Sequence, residues 1–240
     1  MPTWSTGPLL GFDTETTGVD VRHDRIVTAA LVMRDSGGRR QRTWLIDPGV
    51  EIPEAASAIH GITTARARSE GRPPAAALDE LAAEIVHAQR AGVPVVAYNA
   101  SFDFAILDHE LARWQLPTLA ERLGRDVGPV LDPLVIDRAV DRYRRGKRTL
   151  SALCEHYQVV TTAELHTAEV DVLATMQVLD CLVTVYPEVG EMPLVALAGW
   201  QRDRHRDWAE NFNEWRVRQG FEGPGAELVW LPRHEPVVVS

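Results

Sequence analysis

Four carboxylates and one imidazole stand in this chain with spacings that could make a chemical site. In LLGFDTETTGVD (residues 9–20) an apolar run leads straight into Asp13 and Glu15, one residue apart. Asp103 lies in NASFDFAIL (residues 99–107), and HTAEVD (residues 166–171) places His166 five residues before Asp171. Ionised carboxylates are seldom buried without a compensating partner. Residues two apart on a strand share a face, so Asp13 and Glu15 offer paired oxygen ligands at the strand's C-terminal end, where open α/β sheets place their sites. Each feature also has a plainer explanation. An isolated pair of this kind can be a solvated strand end, Asp103 a partner of a helix dipole, and His166 and Asp171 caps at a helix start.

The pattern around these residues predicts the elements that hold them. Residues 9–14, 25–33 and 42–46 read as strands, the last two joined by a Ser-Gly-Gly turn at residues 36–38. Short loops between them imply an antiparallel meander. Residues 74–90 carry Leu78, Leu81, Ile85 and Val86 at helical spacing and stop at Gly92. VPVVAY (residues 93–98) is a short apolar strand that follows a helix, so it can pair in parallel with the first. Ser101 is then expected to cap a helix running to about residue 115. A fifth strand ends near Leu131, and Asp132-Pro133 starts a helix expected to end in RYRRGKR, with Gly146 in the left-handed position. Further helices are expected over residues 149–157, 167–185 and 194–219. The order predicts an α/β domain, a mixed sheet flanked by helices over residues 1–190, with a C-terminal helix and tail packing on it over residues 191–240.

Composition bounds the function. The chain has 240 residues, 45% hydrophobic and 25% charged, enough to bury a core. Its net charge of −9 argues against a protein that coats nucleic acid through a broad basic surface, though not against an enzyme holding a polyanion through metal ions and a local patch. Cys154 and Cys181 have no metal-type spacing and form no disulfide framework. No basic segment followed by a long apolar stretch opens the chain, and no run is long and apolar enough for a membrane span. A cytoplasmic protein with no membrane partner is the expectation.

Taken in order, FDTETTG (residues 12–18), NASFD (residues 99–103) and HTAEVD resemble the three motifs of the DEDD superfamily of 3′→5′ exonucleases. Histidine stands five positions before the last aspartate, while Thr167 occupies the place of the alternative tyrosine, so the resemblance is to the histidine (DEDDh, DnaQ-like) branch. AIHGIT (residues 58–63) and RGKRTLSALCEHY (residues 145–157) are similar to segments of that branch, the latter in the proofreading subunit of bacterial DNA polymerase III. The resemblance spans residues 8–185.

It implies a ribonuclease H-like fold with a five-stranded mixed sheet and a site with two divalent ions, Mg²⁺ or Mn²⁺, about 4 Å apart. Asp13 would bridge both ions, Glu15 and Asp171 would complete the shell of the one that activates water, and Asp103 would hold the other, partly through water. His166 would be the general base, carried on a loop that brings it in, since an imidazole titrates near neutral pH. Thr16, Thr17, His60, Asn99 and Phe102 are candidate contacts to the terminal nucleotide, each with a turn or packing role as the alternative. Residues 138–148 hold six basic residues against one acid. Arg145, Lys147 and Arg148 there are candidates for backbone phosphates; a solvated helix end is the alternative.

The implied activity is release of nucleoside 5′-monophosphates from a nucleic acid 3′ end, single-stranded DNA rather than RNA, in proofreading or repair. An RNA-trimming enzyme and a silent binding module of the same fold are the alternatives. A haloacid-dehalogenase-type phosphatase fits poorly: DTET has Glu for its second acid, and Lys147 is the only lysine. The Trp208, Phe212 and Trp215 stripe is expected to pack on the parent domain. Oligomeric state and a polymerase partner are left open, and no tail segment reads as a polymerase- or clamp-binding motif.

Overall fold

The alternation of one strand organises the molecule. In the computed structural model, which describes residues 4–160 and 166–233, β1 (Leu9–Thr16) pairs antiparallel with β2 (Ile26–Asp35), which turns at residues 36–37 into β3 (Gly38–Leu45). The chain's two ends and the connection just before His166 lie outside the described residues. On its other side β1 pairs in parallel with β4 (Val95–Val96), and β4 with β5 (Val130–Leu131), giving the order β3-β2-β1-β4-β5. This is the expected mixed five-stranded sheet. Before β4 come α1 (Glu54–His60), α2 (Thr64–Glu70) and α3 (Pro74–Arg90); α4 (Ala100–Arg113) and α5 (Leu119–Leu123) precede β5. After β5 follow α6 (Pro133–Val140), α7 (Leu150–His156), α8 (Ala168–Val185), α9 (Pro187–Glu191) and α10 (Leu194–Arg218).

Even-numbered Leu10 and Phe12 of β1 join the core formed with Leu78 and Leu81 of α3 and Phe104 of α4. Odd-numbered Leu9 joins a second core with Val172, Met176 and Leu179 of α8. The sheet is therefore covered on both faces, and whatever β1 carries at odd positions meets α8.

Several boundaries differ from the sequence pattern. β3 begins at Gly38 rather than Arg42 because its first half is exposed and carries Arg39, Arg40 and Gln41, with no apolar alternation to read. Charged edges of this kind discourage pairing with another chain. Helix α4 is not capped by Ser101. Asn99 takes the N-cap position in left-handed geometry without a side-chain cap, and the Asp132 carboxylate accepts the Asn99 and Ala100 N–H groups at 3.0 and 2.9 Å. Helix α6 ends at Val140, well before Gly146. Beyond it, Arg144 and Arg148 fold back onto the fully buried Asp137, which also accepts the Tyr157 hydroxyl. A buried carboxylate needs such partners, and they outweigh continued helix.

The C-terminal segment is tied into the sheet. Gln201 of α10 is fully buried, accepting the Asp132 N–H at 2.8 Å and donating to the Val130 carbonyl at 2.9 Å. After α10 the chain folds back and buries Trp230 in the first core, its indole N–H donating to Asp132. Cys154 is buried, Cys181 half-buried, and both are free thiols. Among the described residues no helix is long and apolar enough to cross a membrane.

Candidate active site

The odd face of β1 reads Leu9, Gly11, Asp13, Glu15. Gly11 has a specific use there: a Cβ at this position would lie 2.3 Å from Val172 Cγ1 and 2.9 Å from Met176 Sδ. The missing side chain lets α8 lie directly on the strand, and Asp171, next to Val172, thereby comes over Asp13 and Glu15. Asp13, Glu15 and Asp171 can bring three carboxylate oxygens within 4.8 Å of one another. Gly11→Ala should push against the stiff valine. We expect a loss of about 1–3 kcal/mol in stability, the usual cost of overpacking, together with at least a tenfold drop in any metal-dependent activity. Melting temperature and kcat measured on the same preparation check both.

Asp103 reaches the same end by another route. β4 pairs with β1 only at Leu10 and Gly11, so the Thr14 N–H points to where no strand continues. Asp103, in the first turn of α4, fills that place: its Oδ1 accepts from the Thr14 N–H at 3.0 Å and from the Thr14 hydroxyl at 2.8 Å. Phe104 meets Phe12 edge-to-face at 5.6 Å, pinning α4 to β1. Asp103 is buried and lies outside the group of three, but of the other acids its charge acts most strongly on Asp13.

The electrostatics are those of crowded acids removed from water. Burial, then the charges of Asp103, Asp171 and Glu15, push the Asp13 carboxyl well above the usual range. Burial and the Asp171 charge raise Glu15 to about 7. Burial raises Asp103 to about 7 despite the opposing Thr14 hydrogen bonds, and burial raises Asp171 although the His166 N–H opposes it. Clustered hard oxygens that repel one another fit a divalent cation such as Mg²⁺ or Mn²⁺. Both Glu15 and Asp103 ionise near 7 when folded and near 4 when unfolded, so without metal the folded state holds its protons longer. Their contribution to stability is then most favourable below about pH 4 and is lost as pH rises to about 7. A cation reverses this by binding the ionised acids. At one Mn²⁺ concentration the melting temperature should therefore rise more at pH 8 than at pH 5, because Kd is smaller where the acids are ionised; a hundredfold excess over Kd is worth about 2.7 kcal/mol of stabilisation. An equal shift at both pH values would contradict the assignment.

His166 is exposed, and its backbone N–H donates to Asp171 Oδ1 at 3.1 Å; its φ of 92° is unusual for a residue other than glycine. Thr16 donates its hydroxyl to the Gly18 carbonyl, and buried Thr17 donates to Asp24 and accepts from the Arg25 N–H. Both hydroxyls thus close the turn after β1. His60 is buried; its Nδ1 accepts the Ile62 N–H, while Nε2 has no hydrogen-bond partner and lies near the Thr16 backbone. Burial lowers its pKa. Phe102 packs on the first core, and Asn99 starts α4. Arg145 and Lys147 are exposed. Arg148 is not exposed: its guanidinium faces Asp137, and its carbonyl accepts the Tyr98 hydroxyl at 2.6 Å. That places it as a structural ion pair instead of a free phosphate contact.

Three positioning residues escape a reading by motif: Gly11, Thr14 and Asp132. A glycine inside an apolar strand is the one signal that could have pointed to a close approach. Asp132 reads correctly as the N-cap of its own helix, accepting the Leu134 N–H at 3.0 Å, but its hold on α4 depends on the β4–β5 pairing.

The family model described as Exonuclease (RNase_T) matches residues 10–179. The chain belongs to this exonuclease family. Its motifs place it in the DEDDh-type, DnaQ-like branch. The family domain is 34% identical over 173 residues to a DNA polymerase III subunit epsilon-like protein of Rhodobacter capsulatus, covering 69% of this chain and 22% of that one. It is 30% identical to Exonuclease DPD1, chloroplastic/mitochondrial, of Arabidopsis thaliana, covering 69% of this chain and 53% of that one. The chain thus spans between about a fifth and a half of these relatives. Among solved structures, E. coli exonuclease I in complex with a dT13 oligonucleotide superposes with a TM-score of 0.63 at 22% identity, covering 76% of this chain and 42% of that one. Exonuclease X in complex with 5′-overhanging duplex DNA gives 0.58 at 21% identity, covering 80% and 99%. These likenesses establish the ribonuclease H-like exonuclease fold.

Proposed function

We propose that this chain is a metal-dependent 3′→5′ exonuclease that hydrolyses the terminal phosphodiester of single-stranded nucleic acid, DNA in preference to RNA, and releases nucleoside 5′-monophosphates. The observation that carries the reading is the meeting of Asp13, Glu15 and Asp171 within 4.8 Å, with His166 joined to Asp171 through its backbone. In this reading residues 1–190 form the catalytic domain and residues 191–240 its extension.

Asp13, Glu15 and Asp171 would hold one of two Mg²⁺ or Mn²⁺ ions and Asp103 the other, with Asp13 shared; bound there, the ions supply charge for the attacking and leaving oxygens. The chain's own residues do the rest. Thr14 fixes the rotamer of Asp103. His166 takes the proton of the attacking water, and Asp171 keeps the histidine backbone at the edge of the cluster. The turn closed by Thr16 and Thr17, with His60 beside it, bounds the space for the terminal nucleotide, and Phe102 at the start of α4 is a further candidate contact. Arg145 and Lys147 offer charge to backbone phosphates without reading sequence.

The preference for DNA is supported by relatives named for DNA polymerase III and by the fold neighbour in complex with dT13. Trimming DNA 3′ ends serves proofreading or repair, and two free thiols with no disulfide suit a reducing cytoplasm. The test is chromatographic detection of nucleoside 5′-monophosphates from DNA and RNA of one sequence, with Mg²⁺ or Mn²⁺. Release from DNA faster than from RNA is expected. Faster release from RNA would overturn the DNA preference, and no release from either while both still bind would make the chain a binding module.

A further inference from the structure

Helix α10 is amphipathic in an unusual way. Its buried stripe is Leu197, Gln201, His205 and Ala209, whereas the aromatic stripe does not join either main core. Trp208 and Phe212 stack at 5.4 Å, Phe212 and Trp215 at 5.7 Å, and Trp215 meets Phe221 at 5.5 Å. The ladder runs outward, with Trp215 44% and Phe221 54% exposed. Its inner end lines a cavity of about 420 Å³ together with Arg138, Arg142, Arg144 and Arg204. The inner end of the stripe packs on the domain, Trp208 lying against Arg138 of α6, while its outer end faces solvent.

The charges in the cavity are not all balanced. Arg144 faces Asp137 and Asp141, and Arg204 faces Asp207. Among the described residues neither Arg138 nor Arg142 has a carboxylate within ion-pair distance; the charges of Asp132 and Asp137 still reach Arg138, whereas Arg142 stands in solvent. Arg138 lies 3.7 Å over the Trp208 ring, and Arg142 is exposed, 5.8 Å from Tyr143. In a chain of net charge −9, a local surplus of guanidinium is not a by-product of composition. Stacked rings beside arginines are the chemistry that holds single strands: each base presents a face to an aromatic ring, worth about 1–3 kcal/mol, while guanidinium groups meet phosphates.

One hydrogen bond joins the cavity wall to the chain segment that leads to the site. Arg148 in that wall is tied through the Tyr98 hydroxyl to the end of β4, which leads into Asp103. We infer that the arginine–aromatic cavity holds the body of a single-stranded nucleic acid whose 3′ end lies among Asp13, Glu15, Asp103 and Asp171. This rests on the exonuclease reading and extends it to nucleotides upstream of the cut.

The test uses the full chain and dT16 carrying 5-iodouracil at single positions, irradiated in EDTA to prevent cleavage, with crosslinks mapped by mass spectrometry. Crosslinks to the Trp208–Trp215 peptide are expected from internal positions. Arg142→Glu, at an exposed site, should raise the Kd for dT16 about tenfold and lower the salt slope by about one contact. Unchanged Kd and slope, with no crosslink on α10, would overturn the inference. Equal crosslinking by blunt duplex DNA would reduce the cavity to phosphate attraction and overturn it too, as would concentration-dependent dimerisation that hides α10 from dT16. A parallel Mg²⁺ cleavage assay separates the two claims. Cleavage with no effect at α10 sinks the cavity alone, whereas α10 crosslinks without cleavage sink the exonuclease reading alone.

Discussion

Replacing Asp13 by asparagine should abolish hydrolysis while making the metal-free protein more stable. Asp13 feels the charge of all three other acids, and burial pushes its carboxyl well above the usual range. Keeping it ionised at pH 8 without a cation therefore opposes folding. Asparagine keeps the shape and removes the charge. The melting temperature in EDTA at pH 8 should rise by several degrees, since 1 kcal/mol corresponds to about 2–4 °C for a chain of this size. Activity should fall at least about 10⁴-fold, because losing a shared ligand removes several kcal/mol of transition-state stabilisation. The stabilisation by excess Mn²⁺ should disappear with it. Calorimetry with and without EDTA, beside a kcat measurement, reads all three. A variant that loses both activity and stability in EDTA would mean that Asp13 serves the fold.

His166→Ala is the second large effect, and it should separate chemistry from metal binding. The side chain is exposed and contributes no core packing. Its link to Asp171 runs through the backbone N–H, which alanine retains. We expect kcat to fall about 10²–10⁴-fold, the range for a general base, with KM and the Mn²⁺-induced rise in melting temperature nearly unchanged. His166→Gln should be as slow as alanine, since the amide can hydrogen-bond but cannot take a proton at neutral pH. If glutamine restored most of the rate, the histidine would be orienting water rather than accepting its proton.

The motifs and the order of elements were legible because each rests on local signals: an apolar run ending at Asp13, a proline after Asp132, helical spacing before Gly92. The mixed sheet followed from those signals in order, and the exonuclease family from the resemblance of FDTETTG, NASFD and HTAEVD to known motifs. What sequence could not supply is long-range. Residues 38–41 carry charge instead of alternation, so half of β3 is defined by its β2 partner alone. The end of α6 is set by Asp137, which draws Arg144 and Arg148 back onto it. Nothing within residues 138–148 marks that carboxylate as buried. The two stripes of α10 are a related case, because helical spacing marks both Leu197-Gln201-His205-Ala209 and Trp208-Phe212-Trp215. Only contact with β5 and Asp132 selects the first as the packed one. Asp103 was legible as a member of the site, but its hold on Thr14 depends on β4 being only two residues long.

The most direct test of the two-ion exonuclease reading follows 5′-labelled dT16 on a sequencing gel, with wild-type protein and Asp13→Asn, in Mg²⁺ and in EDTA. A ladder shortening one nucleotide at a time from the 3′ end, present only for wild type with Mg²⁺, is expected. A ladder of equal rate from Asp13→Asn, or one that persists in EDTA, would contradict that reading.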